Sequence, residues 1–305
     1  MRTPGILFLA SLPLVAMAAN PVMTGADPHA AVIDRKMWIY PTEPRGGGLF
    51  AAYSSLDLRT WQRSEPVLRL SDVPWVKEDG APHHYAWAPA IAERDKKFYF
   101  YYSVGPQNPT PSRIGVAVGD NPAGTFKDSG KPLVVGGNGF EAIDPMVFID
   151  PKTNTPYLYA GGSSGAKLRV WELNPDMVSI KSEISIEQPE NFTEGAFMHF
   201  RNGVYYLSYS HGRWNDSSYS VHYATAPSPT GPWTYRGPIL KSDAKHQGPG
   251  HHSFVQDPRT NAWLIVYHRW ESTTPNPPYK GGRKVAIERI SYNFDNTIAP
   301  IKMTD

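Results

Sequence analysis

Three carboxylates occupy similar positions along the chain. Asp27, Asp144 and Glu194 each lie 11 to 13 residues before the first aromatic residue of a run rich in aromatic and β-branched residues. Glycoside hydrolysis needs such groups, because one carboxylic acid protonates the leaving oxygen and one carboxylate acts on the other side of the sugar. A third carboxylate beside the acid raises its pKa by repulsion and orients it. The sequence therefore predicts a glycosidase site, although these residue types alone do not divide the roles.

Two further residues share this register. Trp87 lies 11 residues before Phe98, and His251 lies 12 residues before Trp263. We expect Trp87 to stack on a sugar ring or to be an ordinary core residue. His251 is either a site residue or a core histidine bonded to backbone.

Asp-Pro pairs often form turns, so the aspartates need separate treatment. Asp150 and Asp257 fall between two strand-like runs, where a turn role is expected. Asp27 and Asp144 instead precede an apolar strand, which favours a functional role.

The elements that would position these residues form an internal repeat. Five aromatic runs recur at intervals of 48 to 60 residues, and each follows a turn signal and a shorter apolar strand. A repeat of this length with about four strands is typical of propeller blades. The sequence predicts an all-β, five-bladed β-propeller with the active site at one end of the central channel. The alternative is a β-sandwich or a two-domain β protein with coincidental spacing. The runs are 37–40, 98–102, 157–159, 204–209 and 263–267.

Composition removes several other classes of protein. The 305 residues carry 30 Lys+Arg and 28 Asp+Glu, a net charge of +2 that argues against a nucleic-acid partner. The absence of Cys excludes thiol nucleophiles and thiolate zinc sites. No phosphate-binding loop or His-Glu-x-x-His motif occurs.

The N-terminus has the pattern of an export signal. Arg2 is followed by an apolar stretch over 6–17 and by small residues suited to cleavage near 16–19. This predicts a signal peptide over 1–19 and a single mature domain over 20–305. We expect the mature protein to be secreted or periplasmic and free of the membrane. The alternative for this segment is a buried N-terminal helix.

Several short motifs, in this order, resemble glycoside hydrolase family 43. The resemblance covers nearly the whole predicted mature chain and implies a five-bladed propeller with inverting chemistry. It also implies that Asp27 is the general base, Glu194 the general acid, and Asp144 the residue that tunes and orients the acid. The motifs are Ala26-Asp27-Pro28, Tyr85-Ala86-Trp87-Ala88-Pro89, Ala142-Ile143-Asp144-Pro145, Thr193-Glu194-Gly195, Gly248-Pro249-Gly250-His251-His252-Ser253 and Tyr267-His268-Arg269.

The same resemblance implies two supporting roles. His251, chosen over His252 by register, matches an axial histidine that ligates or water-bridges a structural Ca²⁺ in many members. No cofactor is implied for the chemistry itself. Arg269 matches an arginine that contacts the sugar and the carboxylates.

Three loops are expected to border the site, over 41–50, 75–85 and 214–216. Their aromatic residues Trp75, Tyr85 and Trp214 are candidate sugar platforms, with surface or core packing as the alternative. The predicted function is an exo-acting α-L-arabinofuranosidase on plant polysaccharide. A β-xylosidase or a galactan-side-chain hydrolase is the alternative enzyme. A non-catalytic carbohydrate-binding propeller is the alternative outside enzymes.

Overall fold

The computed structural model describes residues 19–44, 47–271 and 276–305, which form the five blades of a β-propeller. Each blade is an antiparallel sheet. Blade 1 contains β2 (Ala26–Ile33), β3 (Lys36–Thr42), β4 (Leu49–Ser55) and β5 (Gln62–Arg69). Blade 2 contains β6 (Tyr85–Arg94), β7 (Lys97–Gly105), β8 (Arg113–Gly119), and the short outer strands β9 (Lys127–Asp128) and β10 (Val134–Val135). The predicted fold class is confirmed.

The remaining blades repeat this order. Blade 3 contains β11 (Met146–Ile149), β12 (Pro156–Ala160), β13 (Arg169–Leu173) and β14 (Ile180–Ile184). Blade 4 contains β15 (Glu194–Arg201), β16 (Val204–His211), β17 (Ser220–Ala226) and β18 (Thr234–Leu240). Blade 5 contains β19 (His246–Gln256), β20 (Trp263–Glu271) and β21 (Lys284–Arg289).

The N-terminal strand β1 (Met23–Thr24) belongs to blade 5, where it pairs with β21. Asn20 strengthens this closure, since its side chain donates to Ile287 O and accepts from Ile287 N–H. The two ends of the repeat are thereby joined into a ring.

Tight turns join the first two strands of the blades. Asp34-Arg35 and Asp95-Lys96 both have left-handed φ values, as do Asn202 and Gly203 in blade 4. Two consecutive left-handed residues are the geometry of a two-residue hairpin turn. The turn signals in the sequence thus correspond to real hairpins.

The core lies between adjacent blades. Each hydrophobic cluster draws side chains from neighbouring blades, and in three of the four clusters aromatic residues of the second strands fill it. Buried tyrosines there also satisfy their hydroxyls across the blade boundary: Tyr40 donates to Pro122 O, Tyr101 to Met177 O and Tyr159 to Pro229 O. These contacts fix the angle between blades and so position their inner strands.

The long connection between blades 1 and 2 contains two 3₁₀ helices, Leu70–Asp72 and Pro74–Asp79.

The predicted signal peptide covers residues 1–19. Residues 1–18 of it lie outside the described residues, and only Ala19 is described. Within the described part of the chain, no helix is both long and apolar enough to span a bilayer.

Candidate active site

In every blade, a residue in the predicted register at the start of the inner strand, or next to that register position, has a left-handed backbone. In four blades this residue coincides with a β-bulge, where the pairing between first and second strands shifts. Trp87 and Glu194 each directly precede such a residue, so the register predicted from sequence is correct to within one position. The five residues are Asp27 (φ 49°), Ala88 (φ 40°), Asp144 (φ 57°), Gly195 (φ 63°) and His251 (φ 41°).

Asp27 is more than nine-tenths buried and surrounded by nitrogen atoms. Its Oδ1 lies 2.8 Å from Arg283 Nη1 and 3.4 Å from His251 Nδ1. Its backbone N–H donates to His268 Nδ1 at 3.0 Å. Burial alone raises the pKa of Asp27, but Arg283 and the two histidines outweigh it and hold that pKa well below its usual value. Asp27 is therefore ionised at neutral pH.

Glu194 is equally buried, but its neighbours have the opposite effect. The Tyr219 hydroxyl donates to Glu194 Oε1 at 2.7 Å. Burial, with repulsion from Asp27 and Glu141, raises the pKa of Glu194 to about 7, although the Tyr219 hydrogen bond and the Arg283 charge oppose this shift. Glu194 therefore keeps a substantial protonated fraction near neutral pH.

Asp144 lies between these two carboxylates. Its Oδ2 accepts the Gly195 N–H at 3.1 Å and is 3.6 Å from His251 Nδ1. Burial, then the charges of Glu194 and Asp27, raise the pKa of Asp144 well above its usual value. Because the pKa values of Asp144 and Glu194 are both raised, the pair retains a proton near neutral pH. Asp144 and Glu194 repel each other, and Asp27 and Glu141 add further repulsion at Glu194.

This arrangement places an ionised carboxylate and a protonated one in the same buried site. Two carboxyls whose environments push their pKa values apart are suited to act as base and acid in one reaction. Neighbouring histidines stay uncharged, because burial lowers the pKa of His251 and lowers that of His268 to about 3.

Aromatic side chains border a cleft of about 150 Å³ beside Asp27. Trp87 is half-buried and stacks on Tyr85 with ring centroids 5.5 Å apart and planes 6° apart. Trp214 is 43% exposed, and the Arg283 guanidinium lies 4.9 Å from its ring centroid. The structure thus brings three of the predicted aromatic residues to this region. The cleft is lined by Thr24, Gly25, Ala26, Thr42, Glu43, Pro44, Trp87, Gly281, Gly282 and Arg283.

Trp75 does not belong to this group, and the prediction that it is a sugar platform is wrong. Its side chain is 2% exposed and stacks on Tyr102 in the core between blades 1 and 2. Its indole N–H donates to Asp128. The 3₁₀ helix that carries Trp75 turns this side chain inward.

Arg269 also differs from the prediction. It is fully buried, and its Nε lies 2.9 Å from Glu271 while its Nη1 donates to Thr304 O at 2.8 Å. Successive side chains of a strand point to opposite faces, so His268 faces the carboxylates and Arg269 faces away. Arg283, which the sequence analysis missed, makes the ion pair with Asp27.

Other missed residues are Tyr219, His268 and Glu141. Tyr219 and Arg283 lie outside or at the edge of the repeated strands, so the register of the repeat gave no signal for them. His268 belongs to the motif Tyr267-His268-Arg269. Because neighbouring side chains of a strand face opposite sides, that motif could have indicated His268 as the residue facing the carboxylates.

A Ca²⁺ site formed directly by several side chains around His251 does not fit the residues present. Ca²⁺ takes six to eight oxygen ligands, mostly carboxylates and carbonyls. In the described ranges, no three His, Asp or Glu side chains are grouped so that they could hold a metal ion. The carboxylate oxygens that lie near the His251 ring belong to Asp27 and Asp144, the residues expected to act as base and to orient the acid.

Comparison with known proteins agrees with this fold and site. Residues 18–298 match the family described as Glycosyl hydrolases family 43. A β-D-galactofuranosidase, xynD, of Aspergillus niger is 36% identical, and the match covers 100% of this chain and 91% of the relative. Xylosidase/arabinosidase 43A of Humicola insolens is 31% identical over 91% of this chain and 96% of its own.

Solved structures give the same answer. The crystal structure of a thermostable family-43 glycoside hydrolase superposes with a TM-score of 0.76 at 27% identity, covering 94% of this chain and 96% of that one. A five-bladed propeller with clustered carboxylates defines the class as glycoside hydrolases. This chain belongs to glycosyl hydrolase family 43.

Proposed function

We propose that this protein is an inverting exo-glycosidase that removes terminal furanose or pentose residues from plant polysaccharide, with α-L-arabinofuranosides as the preferred substrates. The observation that carries the proposal is the opposite pKa shift of two buried carboxyls, down for Asp27 and up for Glu194. Relatives named as xylosidase/arabinosidase and arabinoxylan arabinofuranohydrolase support the substrate class.

In the proposed reaction Asp27 takes a proton from a water molecule, whose oxygen attacks the anomeric carbon. The glycosidic bond breaks on the opposite side, and Glu194 gives its proton to the leaving oxygen. Asp144 orients the acid side of the site through the Gly195 N–H. The ion pair of Arg283 with Asp27 keeps the base ionised.

The cleft beside Asp27 supports exo action. Its volume of about 150 Å³ suits one sugar ring, and its walls combine an indole face with a guanidinium and hydroxyl groups. Such a mixture of aromatic and polar groups suits a sugar, which has both apolar faces and hydroxyls. We propose Trp87, Tyr85 and Trp214 as the residues that hold it.

One observation favours a second substrate. The 36% identical relative that spans the whole chain is named a β-D-galactofuranosidase. β-D-Galactofuranose has the ring configuration of α-L-arabinofuranose and differs by one additional carbon in the side chain. A site built for one ring can therefore accept the other where space allows.

Hydrolysis of nitrophenyl glycosides tests the proposal. The panel compares α-L-arabinofuranoside, β-D-galactofuranoside, β-D-xyloside and β-D-galactopyranoside, with proton NMR of the first-formed anomer. A dominant arabinofuranoside rate with inversion is the expected result, and a dominant galactofuranoside rate establishes the second candidate. A dominant xyloside or galactopyranoside rate would contradict the proposed furanoside preference and assign that sugar as the substrate. No hydrolysis of the panel or of arabinan and arabinoxylan, with retained sugar binding, would establish a carbohydrate-binding protein instead.

We further propose that the protein is exported, on the basis of the charge and cleavage pattern in residues 1–19. Expression of the full chain and N-terminal sequencing of the protein outside the cytoplasm test this. An exported protein beginning near Asn20 is expected, and an uncleaved cytoplasmic chain would contradict it.

A further inference from the structure

At four of the five blade boundaries, a side chain of one blade accepts the N–H of the left-handed residue in the next blade. Each acceptor lies on the second strand of its own blade. On the first strand of that same blade, its pairing partner is the residue just before the left-handed residue. We call these acceptors junction caps. They are Thr42 for Ala88 (2.7 Å), Ser103 for Asp144 (2.9 Å), Ser210 for His251 (2.8 Å) and His268 for Asp27 (3.0 Å).

The junction caps stabilise a backbone conformation that is otherwise unfavourable. Left-handed φ is unfavourable for residues other than glycine, and a buried N–H needs an acceptor. Each cap satisfies that N–H at a residue that holds the left-handed conformation. Ser103 thus fixes the backbone of Asp144, and His268 fixes that of Asp27.

The boundary between blades 3 and 4 breaks the pattern. Gly161, whose N–H donates to Ile143 O at 2.9 Å, occupies the cap position and has no side chain to offer. The N–H of Gly195 instead donates to the carboxylate of Asp144. A Cβ on Gly161 would lie 2.1 Å from Lys167 O, so the backbone excludes a serine there.

The next residue, Gly162, packs directly against Glu194. A Cβ on Gly162 would lie 2.3 Å from Glu194 Cβ and 2.8 Å from Glu194 Cα, closer than atoms of these types approach. Only glycine lets the backbone of blade 3 come this near to the proposed acid.

We propose that the Gly161–Gly162 pair is a positioning element for the proton donor, and that Ser103 is its counterpart on the Asp144 side. The missing cap leaves the Gly195 N–H to Asp144, which ties Asp144 to the strand that carries Glu194. Gly162 sets the place of Glu194 itself. This inference rests on the roles proposed above for Glu194 and Asp144.

The test is Gly162→Ala, assayed with a series of aryl glycosides whose leaving groups differ in basicity. A displaced acid fails on basic leaving groups and matters little for acidic ones, which depart without a proton. We expect kcat to fall about 100-fold on the most basic leaving group and only a few-fold on the most acidic. The alkaline limb of kcat/KM should move as well.

Gly115→Ala is the matched control. Its Cβ would lie 2.4 Å from the Tyr102 ring, so it overpacks the core between blades 1 and 2 without touching a carboxylate. It should lower the melting temperature with no dependence on the leaving group. If Gly162→Ala behaves as Gly115→Ala does, the positioning role is refuted.

Ser103→Ala gives a second test that adds no atom and so avoids overpacking. It removes the cap of Asp144 and should shift the alkaline limb of the pH profile. Ser208→Ala is its control, because Ser208 is also fully buried on a second strand but bonds to Phe197 O and His252. Equal pH profiles for the two serine variants would overturn the inference.

Glu194→Gln distinguishes a failure of the proposed function from a failure of the positioning role. Full activity of Glu194→Gln on basic leaving groups would refute the proposed function. Loss of that activity, together with an unchanged leaving-group dependence in Gly162→Ala, would refute only the positioning role.

Discussion

Asp27 and Glu194 begin equivalent inner strands of two blades, and both side chains are more than nine-tenths buried. Their partners differ. Asp27 meets the guanidinium of Arg283, whereas Glu194 meets the neutral hydroxyl of Tyr219 and a second carboxyl, Asp144. The pKa of Asp27 falls well below its usual value, and that of Glu194 rises to about 7.

Burial is therefore common to both regions, and the ion pair of Arg283 with Asp27, together with His251 and His268, accounts for the lower pKa of Asp27. Desolvation raises the pKa of any carboxyl, so a carboxyl buried near the start of an inner strand favours its protonated form unless a cation lies beside it. The loop that carries Arg283 converts one position into a base. The proposed roles, with Asp27 as base and Glu194 as acid, therefore depend on the loop that places Arg283 beside Asp27.

The largest expected effect comes from exchanging each carboxylate for its amide. Asp27→Asn removes the proton acceptor and should lower kcat about 10³-fold for every leaving group. Glu194→Gln should cause a similar loss only for basic leaving groups. Aryl glycosides of graded leaving-group basicity measure both, and circular dichroism checks folding. The same pattern of loss in the two variants would contradict the division of roles.

Arg283→Met should have the next largest effect. Without this cation burial dominates at Asp27, so the pKa of Asp27 rises and the acidic limb of kcat/KM moves to higher pH. Below that limb the base is protonated and activity is lost. We expect about a 10-fold lower kcat/KM at neutral pH from the loss of the charged hydrogen bond. Arg283→Lys retains the charge and should keep the limb closer to that of the unmodified enzyme. An unmoved acidic limb in Arg283→Met would show that the cation does not set the base.

Tyr219→Phe should act on the other limb. The hydroxyl stabilises the ionised form of Glu194, so its removal raises the pKa of Glu194 and moves the alkaline limb above about pH 7. A several-fold fall in kcat should accompany this, since one hydrogen bond to the acid is lost. Tyr223→Phe is the control and should leave the limb in place, because Tyr223 is also a buried tyrosine and lies on β17, the strand that begins just after Tyr219. A limb that moves down would refute the contact.

Glu141→Gln should have the smallest effect and the opposite sign. Glu141 raises the pKa of Glu194 by repulsion, so the amide should move the alkaline limb to slightly lower pH. We expect kcat/KM below the limb to change less than about threefold, as for a partly screened charge. Glu187→Gln, at an exposed position, provides the control. Identical pH profiles for the two variants would exclude Glu141 from the electrostatics of the site.

The repeat made the fold predictable from sequence, because five hairpins with the same order of turn and aromatic run leave few alternatives. The register also placed Asp27, Asp144, Glu194 and His251 together, since each inner strand begins near the axis. Residues outside the repeat could not be placed in this way. Arg283 reaches Asp27 from a connecting loop, and Trp75 turns into the core because of a 3₁₀ helix that the sequence pattern did not reveal.

The closure of the ring has a consequence for biosynthesis. Asp27 lies just after β1, yet β1 pairs with β21, and the partners of Asp27 are His268 and Arg283. A chain still on the ribosome can complete the early blades, but its base has no cation beside it until β20 and β21 have emerged. Hydrolytic competence should therefore appear only after β20 and β21 have emerged and β1 has paired with β21.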